Sequence, residues 1–353
     1  MGNKRRNFIK STALAGLGMS LAGNISMYAN RTMVTGGRIG IIGLDTSHVT
    51  AFTKAINDKG RSEFEGFTVV AAYPTKGSAD MPVSIDRISM FTEQIGEMGV
   101  EIVGSIKELL EKVDFVLLES VDGRRHYDEA LPVLKAGKRM FIDKPISNNL
   151  IGTIALFEAS KKYKTPIFSA SSTRFSPESI AIRKGKEEVG KVLGAHTYGP
   201  AGKQVGHLDL AYYGIHGVEA LFTLMGTGCK EVTRFDTPVS NVVTGVWNDG
   251  RIGTFTATPE GGKASFGGVV HGSQGVAEKI RILDGYDPLI VAIIDYFRTG
   301  IVPVTNEETL EIFAFMAAAD ESSLQGGKRV ALEEVMRKAT IDASNIKKIS
   351  HGK

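Results

Sequence analysis

Short apolar runs alternate with amphipathic helical patterns from residue 38 to about residue 145, and this alternation constrains the fold more than any other feature. The run GFTVVAAY at 66–73 is almost continuously apolar, as expected for a strand buried on both faces of a parallel sheet. Three similar runs are RIGII at 38–42, VDFVLLE at 113–119 and RMFI at 139–142. Because strand–helix–strand crossovers are right-handed, the pattern predicts a doubly wound α/β domain with its ligand at the carboxyl ends of the strands.

Strand-like runs also cluster in the second half, where glycine, asparagine and aspartate separate them. They lie at 191–198, 230–236, 241–248, 251–258, 264–271 and 277–283. Helical patterns lie at 148–163, 176–187, 209–225 and 287–300. Thr305 and Glu308 have the spacing of a capping box and predict one more helix. We therefore expect a Rossmann-like domain over 37–147 and, over 148–353, an α+β domain with an open, mostly antiparallel sheet.

Residues 1–30 form a separate unit that has the pattern of an export signal. They contain Lys4, Arg5, Arg6 and Lys10, no acidic residue, and then the Ala/Gly-rich run STALAGLGMSLAG, which is too short to span a bilayer. The stretch RRNFIK resembles a twin-arginine signal, which predicts export to the periplasm in a folded state. The alternative is a disordered basic tail.

The remainder of the 353-residue chain is long enough for two domains and is close to neutral. A near-neutral surface argues against a nucleic-acid partner, and no later segment is apolar enough to cross a membrane. The single Cys229 excludes an internal disulfide and is expected to be a buried apolar residue.

Three stretches at the expected ligand-binding edge carry candidate functional residues. In RIGIIGLDTSHVTAF (38–52), Gly43 begins a G-x-G-x-x-G pattern in which Asp45 and His48 replace the later glycines. Lys144 follows the strand at 139–142, where partial burial would lower its pKa and suit it for proton transfer; the alternative is a surface lysine. In the third stretch, GHLDLAYYGIHGVEALFTLMG (206–226), His216 lies one helical turn after Tyr212.

A zinc site formed by His207, Asp209 and His216 is an alternative, but their spacing matches no tight ligand motif, so we expect no metal site. For each histidine alone, the ordinary interpretation is a hydrogen-bonded structural residue.

After residue 37 the chain resembles the glucose–fructose oxidoreductase and inositol dehydrogenase family (Gfo/Idh/MocA). The resemblance is carried by the Gly43 turn, by DFVLLESVDGRRHYDEALPVLKAGKRMFIDKP and by GIHGVEALFTLMG. Asp143, Lys144 and Pro145 match the family's E-K-P motif. Tyr212, Gly214, His216 and Glu219 match its D-x-G-x-H-x-x-D motif, with tyrosine in place of the first aspartate and glutamate in place of the last.

The resemblance implies that Lys144 moves the proton of a substrate hydroxyl and that His216 orients the substrate or shares that proton. It implies that NAD or NADP is bound by Gly43, Thr46, Ser47, His48, Ser120, Asp122, Lys144 and Pro145. Candidate substrate-binding residues are Arg124, His126, His207, Asp209, Tyr212 and Tyr213. The resemblance is also compatible with a homo-oligomer, since the open sheet of this family often packs against a partner subunit.

Two departures from the family concern the dinucleotide. A charge on Asp45 roughly 4 Å from a phosphate would cost about 4 kcal/mol, of which a helix N-terminus offsets only about 0.3–1 kcal/mol. Asp45 must therefore point away, be protonated or paired, or else the diphosphate lies elsewhere. No acidic residue follows the second strand; Thr75, Lys76 and Ser78 there favour the 2′-phosphate of NADP.

The first functional hypothesis is an exported NAD(P)-dependent oxidoreductase that acts on a hydroxyl of a sugar, polyol or glycoside. The second keeps the fold and a carbohydrate ligand but performs elimination, hydration or hydrolysis without net redox chemistry, in one version with transient oxidation by tightly held NAD. A non-catalytic carbohydrate-binding protein is the third.

Overall fold

A computed structural model describes residues 33–258, 265–282 and 285–350. The predicted export signal at 1–30 lies outside these residues. No helix among the described residues combines the length and apolar character that a membrane span requires.

The first sheet has six strands in the order β3-β2-β1-β4-β5-β6, and every neighbouring pair is parallel. Its strands are β1 Gly37–Ile42, β2 Phe67–Tyr73, β3 Glu101–Ile102, β4 Phe115–Leu118, β5 Arg139–Ile142 and β6 Ile167–Phe168. All four residues of β4 are buried, which explains why the strand is apolar on both faces. The doubly wound sheet predicted from the alternating pattern is confirmed.

Six helices connect these strands: α1 His48–Ile56, α2 Val83–Asp86, α3 Ile88–Glu97, α4 Ile106–Lys112, α5 His126–Lys135 and α6 Leu150–Tyr163. A short 3₁₀ turn, Ser62–Phe64, precedes β2. The side chain of Ser105 caps α4 by accepting a hydrogen bond from the Glu108 amide at 3.1 Å. Polar caps of this kind fix where a helix starts.

The predicted domain boundary at residue 147 is too early. β6 pairs in parallel with β5, so the chain leaves the first sheet only after residue 168. The local sequence of β6, and of the α6 before it, gave no sign of a return to the same sheet.

The second sheet has seven strands in the order β12-β11-β7-β10-β9-β8-β13. Its strands are β7 Val192–Pro200, β8 Cys229–Thr237, β9 Ser240–Trp247, β10 Ile252–Thr258, β11 Gly267–Gly272, β12 Val276–Arg281 and β13 Val330–Ala331. Only the pair β7 and β10 is parallel. The open, mostly antiparallel sheet is therefore confirmed.

The remaining helices are α7 Pro177–Arg183, α8 Ile215–Met225, α9 Asp287–Thr299, α10 Asn306–Leu324 and α11 Leu332–Ser350, and a 3₁₀ turn spans Ser172–Phe175. α8 begins at Ile215, six residues later than the predicted start at 209, and turns replace its expected first turns. Every residue of α8 is buried, as is Cys229 at the start of β8.

Helix α9 belongs to the second half of the chain but packs against the first sheet. Its buried side chains Leu289, Ile293 and Phe297 share a core cluster with Ile39 and Ile41 of β1. The first sheet therefore receives part of its core from residues more than a hundred positions beyond its last strand. The two halves of the sequence are not two independent folding units.

Candidate functional site

The turn after β1 meets the turn after β4 without space for a side chain at Gly43. The φ angle of Gly43 is +90°, and a Cβ atom there would lie 2.4 Å from Ser120 Oγ. Only glycine adopts this conformation without strain. The retained glycine thus allows the first loop to approach β4 closely, as a nucleotide-binding turn requires.

His48, Glu119 and Asp143 form a buried cluster at the carboxyl ends of β1, β4 and β5. His48 Nδ1 lies 2.8 Å from Asp143 Oδ2 and 3.8 Å from Glu119 Oε2. The His48 ring stacks on Phe52 at 5.3 Å and meets Tyr286 edge-on at 4.7 Å between centroids. The residue that replaces the third glycine is therefore held by specific contacts to both carboxylates and aromatic rings.

The two carboxylates of this His48–Glu119–Asp143 cluster have opposite electrostatic environments. Burial raises the pKa of Asp143, but His48, the Lys144 charge and the Lys144 amide lower it more, so its net pKa lies below the ordinary value. Burial raises the pKa of Glu119 well above its ordinary value, and the charges of Asp143 and Asp45 add to that rise. Neither Glu119 oxygen has a hydrogen-bond partner among the described residues.

Asp45 is turned into the protein. Its side chain is fully buried, and Oδ1 accepts a hydrogen bond from the Val121 amide at 3.0 Å. Oδ2 has no partner in the described part of the chain. Burial raises the pKa of Asp45 to about 7. Of the alternatives open at the sequence level, the structure therefore selects a buried carboxyl that is partly protonated near neutral pH.

Lys144 lies two residues after β5, at the carboxyl edge of the first sheet. Its amide donates a hydrogen bond to Asp143 Oδ1 at 2.8 Å, and its Nζ lies 5.4 Å from the centre of the Tyr213 ring. The residue as a whole is half-buried, yet enough protein surrounds the ammonium for burial to lower its pKa, an effect that Asp143 and Glu219 partly oppose.

His216, in the first turn of α8, contacts the same Tyr213 ring edge-on. Its ring centroid is 5.0 Å from that of Tyr213 and 5.4 Å from that of Phe266. Nδ1 lies 2.6 Å from Ser171 Oγ. Burial lowers the pKa of His216 well below its ordinary value, and the charges of Lys144 and His48 lower it further. The imidazole is therefore neutral near neutral pH.

Glu219, the last residue of the family-like motif, forms a buried ion pair. Its Oε2 lies 3.0 Å from Arg174 Nε, and Arg174 Nη1 lies 2.8 Å from Glu308 Oε1. Arg183 also reaches Glu308 at 3.2 Å. Glu308 does not complete the expected capping box because its side chain pairs with Arg174 and Arg183, although the Thr305 hydroxyl does cap the helix by accepting a hydrogen bond from the Glu308 amide at 3.2 Å.

The structure corrects the predicted substrate-binding role of His126. The residue is fully buried, and its two ring nitrogens lie 3.2 Å from the Ile146 carbonyl oxygen and 2.6 Å from that of Ser120. A substrate cannot reach this ring. Its contacts hold the turn after β4 against the segment after β5.

Arg124 and Asp209 also use their charges within the protein. Arg124 binds the carboxylates of Asp122 and Asp80. Burial alone would raise the pKa of Asp122. The hydrogen bonds and charge of Arg124, together with a hydrogen bond from Ser78, outweigh burial and lower this pKa to about 2. Asp209 lies 2.8 Å from both Arg234 and Lys203. These contacts place Asp209 in an ion-pair cluster of the second sheet rather than beside Lys144.

Other predicted ligand-binding residues differ in how accessible they are. His207 Nε2 lies 3.5 Å from Asp122 Oδ1, and its ring lies 6.0 Å from that of Tyr212. Tyr213 is 38% exposed and therefore open to a ligand. The predicted zinc alternative is not assembled, since His207 contacts Asp122 whereas His216 contacts Ser171.

On the cofactor side, Ser47 is exposed and is hydrogen-bonded to Tyr286, whereas Thr46 is buried and accepts a bond from the His48 amide at 3.4 Å. Ser120 is buried and donates to Glu129 at 2.7 Å. Of the residues that favoured NADP, Thr75 is buried and Lys76 is exposed.

Three residues near the site were missed at the sequence level. Glu119 ends the apolar run of β4, where a carboxylate was interpreted only as the end of a strand. Arg87 precedes α3, and its charge acts on Asp45, Lys144 and Tyr212. Tyr286 comes from the start of α9, and no local signal indicates its long-range contact with His48.

Solved structures of similar fold include dehydrogenases and oxidoreductases. GenD2 from gentamicin A biosynthesis, in complex with NAD, matches with a TM-score of 0.65 and 16% identity over 85% of this chain and 97% of that chain. The apo scyllo-inositol dehydrogenase from Lactobacillus casei matches with a TM-score of 0.65 and 16% identity over 86% of this chain and 100% of that chain.

An oxidoreductase from Agrobacterium radiobacter, in complex with NAD⁺, L-tartaric acid and magnesium, matches with a TM-score of 0.65 and 14% identity. The match covers 85% of this chain and 100% of that chain. No protein-family model and no curated protein matches the sequence. At these identities the likeness concerns the fold. The fold that the Gfo/Idh/MocA resemblance implies is thereby confirmed.

Proposed function

We propose that this protein is an NAD(P)-dependent oxidoreductase that acts on a hydroxyl of a sugar, polyol or glycoside. The observation that carries the proposal is the placement of Lys144 and His216 against the same ring, that of Tyr213. One residue follows a strand of the first sheet, and the other begins a helix of the second half. An amine and an imidazole thus meet in the crevice where doubly wound folds bind their ligands.

The first loop fits the diphosphate of a dinucleotide. Gly43 retains the tight turn, α1 begins at His48 directly after the loop, and the exposed Ser47 can donate a hydrogen bond. Asp45 is buried and partly protonated near neutral pH, so it opposes a phosphate less than a fully charged, exposed carboxylate would. The choice between NAD and NADP rests on Lys76, the exposed cation after β2, which favours NADP.

When bound, the nicotinamide supplies the acceptor for a hydride. Lys144 Nζ would take the hydroxyl proton as the carbon–oxygen double bond forms, and a lowered pKa leaves more of the amine in the form that accepts it. The neutral imidazole of His216 would orient the hydroxyl by a hydrogen bond. Tyr213, exposed between these groups, would pack against an apolar face of the sugar ring.

Replacement of Lys144 by alanine tests the proposal. We expect turnover to fall at least about a hundredfold, the usual size of a lost general acid–base contribution, while the melting temperature changes little. Lys161→Ala, on the exposed surface of α6, is the matched control. A sugar and polyol panel assayed for reduced nicotinamide, together with mass spectrometry of cofactor released on denaturation, supplies the readout. Full activity in Lys144→Ala would contradict the assigned role.

A second candidate is elimination or hydrolysis of a carbohydrate without net redox chemistry. The observation that favours it is the His48–Glu119–Asp143 cluster, which groups an imidazole with two carboxylates, the side chains that acid–base catalysis uses. If denaturation releases neither NAD nor NADP and neither binds the purified protein, this second candidate replaces the first.

A further inference from the structure

We propose that His48, Glu119 and Asp143 form a binding site for one divalent transition-metal ion. One side-chain ligand atom from each residue lies within 4.8 Å of the other two. Two of these separations are 2.8 Å and 3.8 Å. Ligand atoms that share an ion at about 2.1 Å are separated by about 3–4 Å, so the side chains need little movement to bind it.

Glu119 supplies independent support for a bound cation. Its side chain is fully buried, and both carboxylate oxygens lack a hydrogen-bond partner among the described residues. Burying such a group without a partner is costly, and native proteins rarely leave one unpaired. A cation between Glu119, Asp143 and His48 would satisfy the Glu119 carboxylate and would relieve its repulsion from Asp143.

The charge around the cluster also favours a cation. Asp45 adds a third carboxyl group whose charge acts on Glu119, and the positive group that acts on Glu119 is Lys144. Two of the ligands are nearly inaccessible, but His48 retains some exposed surface, with its side chain 11% accessible. This surface offers a route by which an ion could enter.

The donor set indicates the class of metal. Imidazole nitrogen combined with carboxylate oxygen suits zinc, manganese or ferrous iron, whereas magnesium and calcium prefer oxygen alone. Three protein ligands leave coordination positions free for water or a ligand in the crevice. The site departs from our sequence-level expectation of no metal, which considered only His207, Asp209 and His216. It does not depend on the proposed dehydrogenase activity.

The test is metal binding by the full chain, produced without a histidine tag and stripped with a chelator. Calorimetry with manganese(II) is expected to show one equivalent per chain, with magnesium(II) much weaker. Glu119→Gln keeps the shape but removes a charge, and His48→Ala removes the nitrogen ligand. Each variant is expected to bind manganese at least about tenfold more weakly. Removal of residues that only support metal ligands already costs about tenfold to a hundredfold in metal affinity.

His271→Ala, a change to an exposed histidine on β11, is the control and should bind manganese as the unmodified protein does. Pulsed electron paramagnetic resonance of the unmodified protein should detect coupling to one imidazole nitrogen, which keeps the test valid if a variant does not fold. The absence of stoichiometric binding, unchanged affinity in folded Glu119→Gln and His48→Ala, or no nitrogen coupling would each overturn the proposal. These binding measurements are independent of whether dehydrogenase activity is found.

Discussion

Three acidic residues at neighbouring strand ends meet different partners within a small volume. Asp143 contacts an imidazole, Asp45 accepts one amide hydrogen bond, and Glu119 has no hydrogen-bond partner in the described part of the chain. Because burial disfavours a charged carboxyl, the pKa values of Asp45 and Glu119 rise, whereas His48 and Lys144 keep Asp143 ionised. The protonation of Asp45 therefore changes within the neutral range.

Asp45→Asn should stabilise the protein increasingly as the pH rises. The pKa of Asp45 is about 7 in the folded protein and near 3.8 in the unfolded chain. Below about pH 4 the carboxyl is neutral in both states and does not destabilise the fold. As the pH rises from about 4 to about 7, the unfolded chain loses this proton first, and the free energy of unfolding falls. Asparagine avoids this loss and can still accept the Val121 hydrogen bond. The gain above pH 7 has an upper limit of about 4 kcal/mol.

Urea unfolding at pH 5 and pH 8 measures this effect, and Asp342→Asn, at an exposed position in α11, is the control. If the difference in unfolding free energy between Asp45→Asn and the unmodified protein is the same at both pH values, Asp45 is already ionised in the folded state.

The residues that could be predicted are those whose role depends on local sequence. Lys144 and His216 were identified because each stands beside a recognisable strand or helix, and the fold then brings both to Tyr213. Glu119 was missed because no local pattern distinguishes a buried carboxylate from a solvated one at the end of a strand. Its environment is set by His48 and Asp143, which lie beyond the ends of two other strands, β1 and β5.

At the level of elements, long periodic segments were predictable and short ones were not. β7 to β12 all form near their expected positions, because alternating or continuous apolar runs define them. β3 and β13 contain two residues each, too few to show a period. The turns at 209–214 replace predicted helix because tertiary contacts decide where α8 starts.

Arg174 joins α8 and α10 through the buried pairs with Glu219 and Glu308, so its loss should weaken both helices. Arg174→Met fills similar volume but leaves the buried Glu219 without its cation and Glu308 with Arg183 alone, and we expect a loss of about 3–5 kcal/mol in unfolding free energy. Arg329→Met, which removes an exposed pair with Glu231, should have little effect. Equal losses in chemical denaturation of the two variants would contradict the structural role of Arg174.

At the scale of the whole molecule, we propose that residues 1–30 direct export through the twin-arginine route. The double change Arg5→Lys and Arg6→Lys keeps the charge but removes the arginine pair, and it should retain the protein in the cytoplasm. Cell fractionation measures this, with Lys10→Arg as the control. Unchanged export of the double variant would favour another route.

The packing of α9 on the first sheet has a consequence for biosynthesis. Leu289, Ile293 and Phe297 complete a core that begins with Ile39 and Ile41, so a nascent chain cannot finish the core of its first sheet until residues 287–299 have left the ribosome. Truncation before residue 287 would leave one face of that sheet uncovered. Completion of this core must therefore wait for the synthesis of α9.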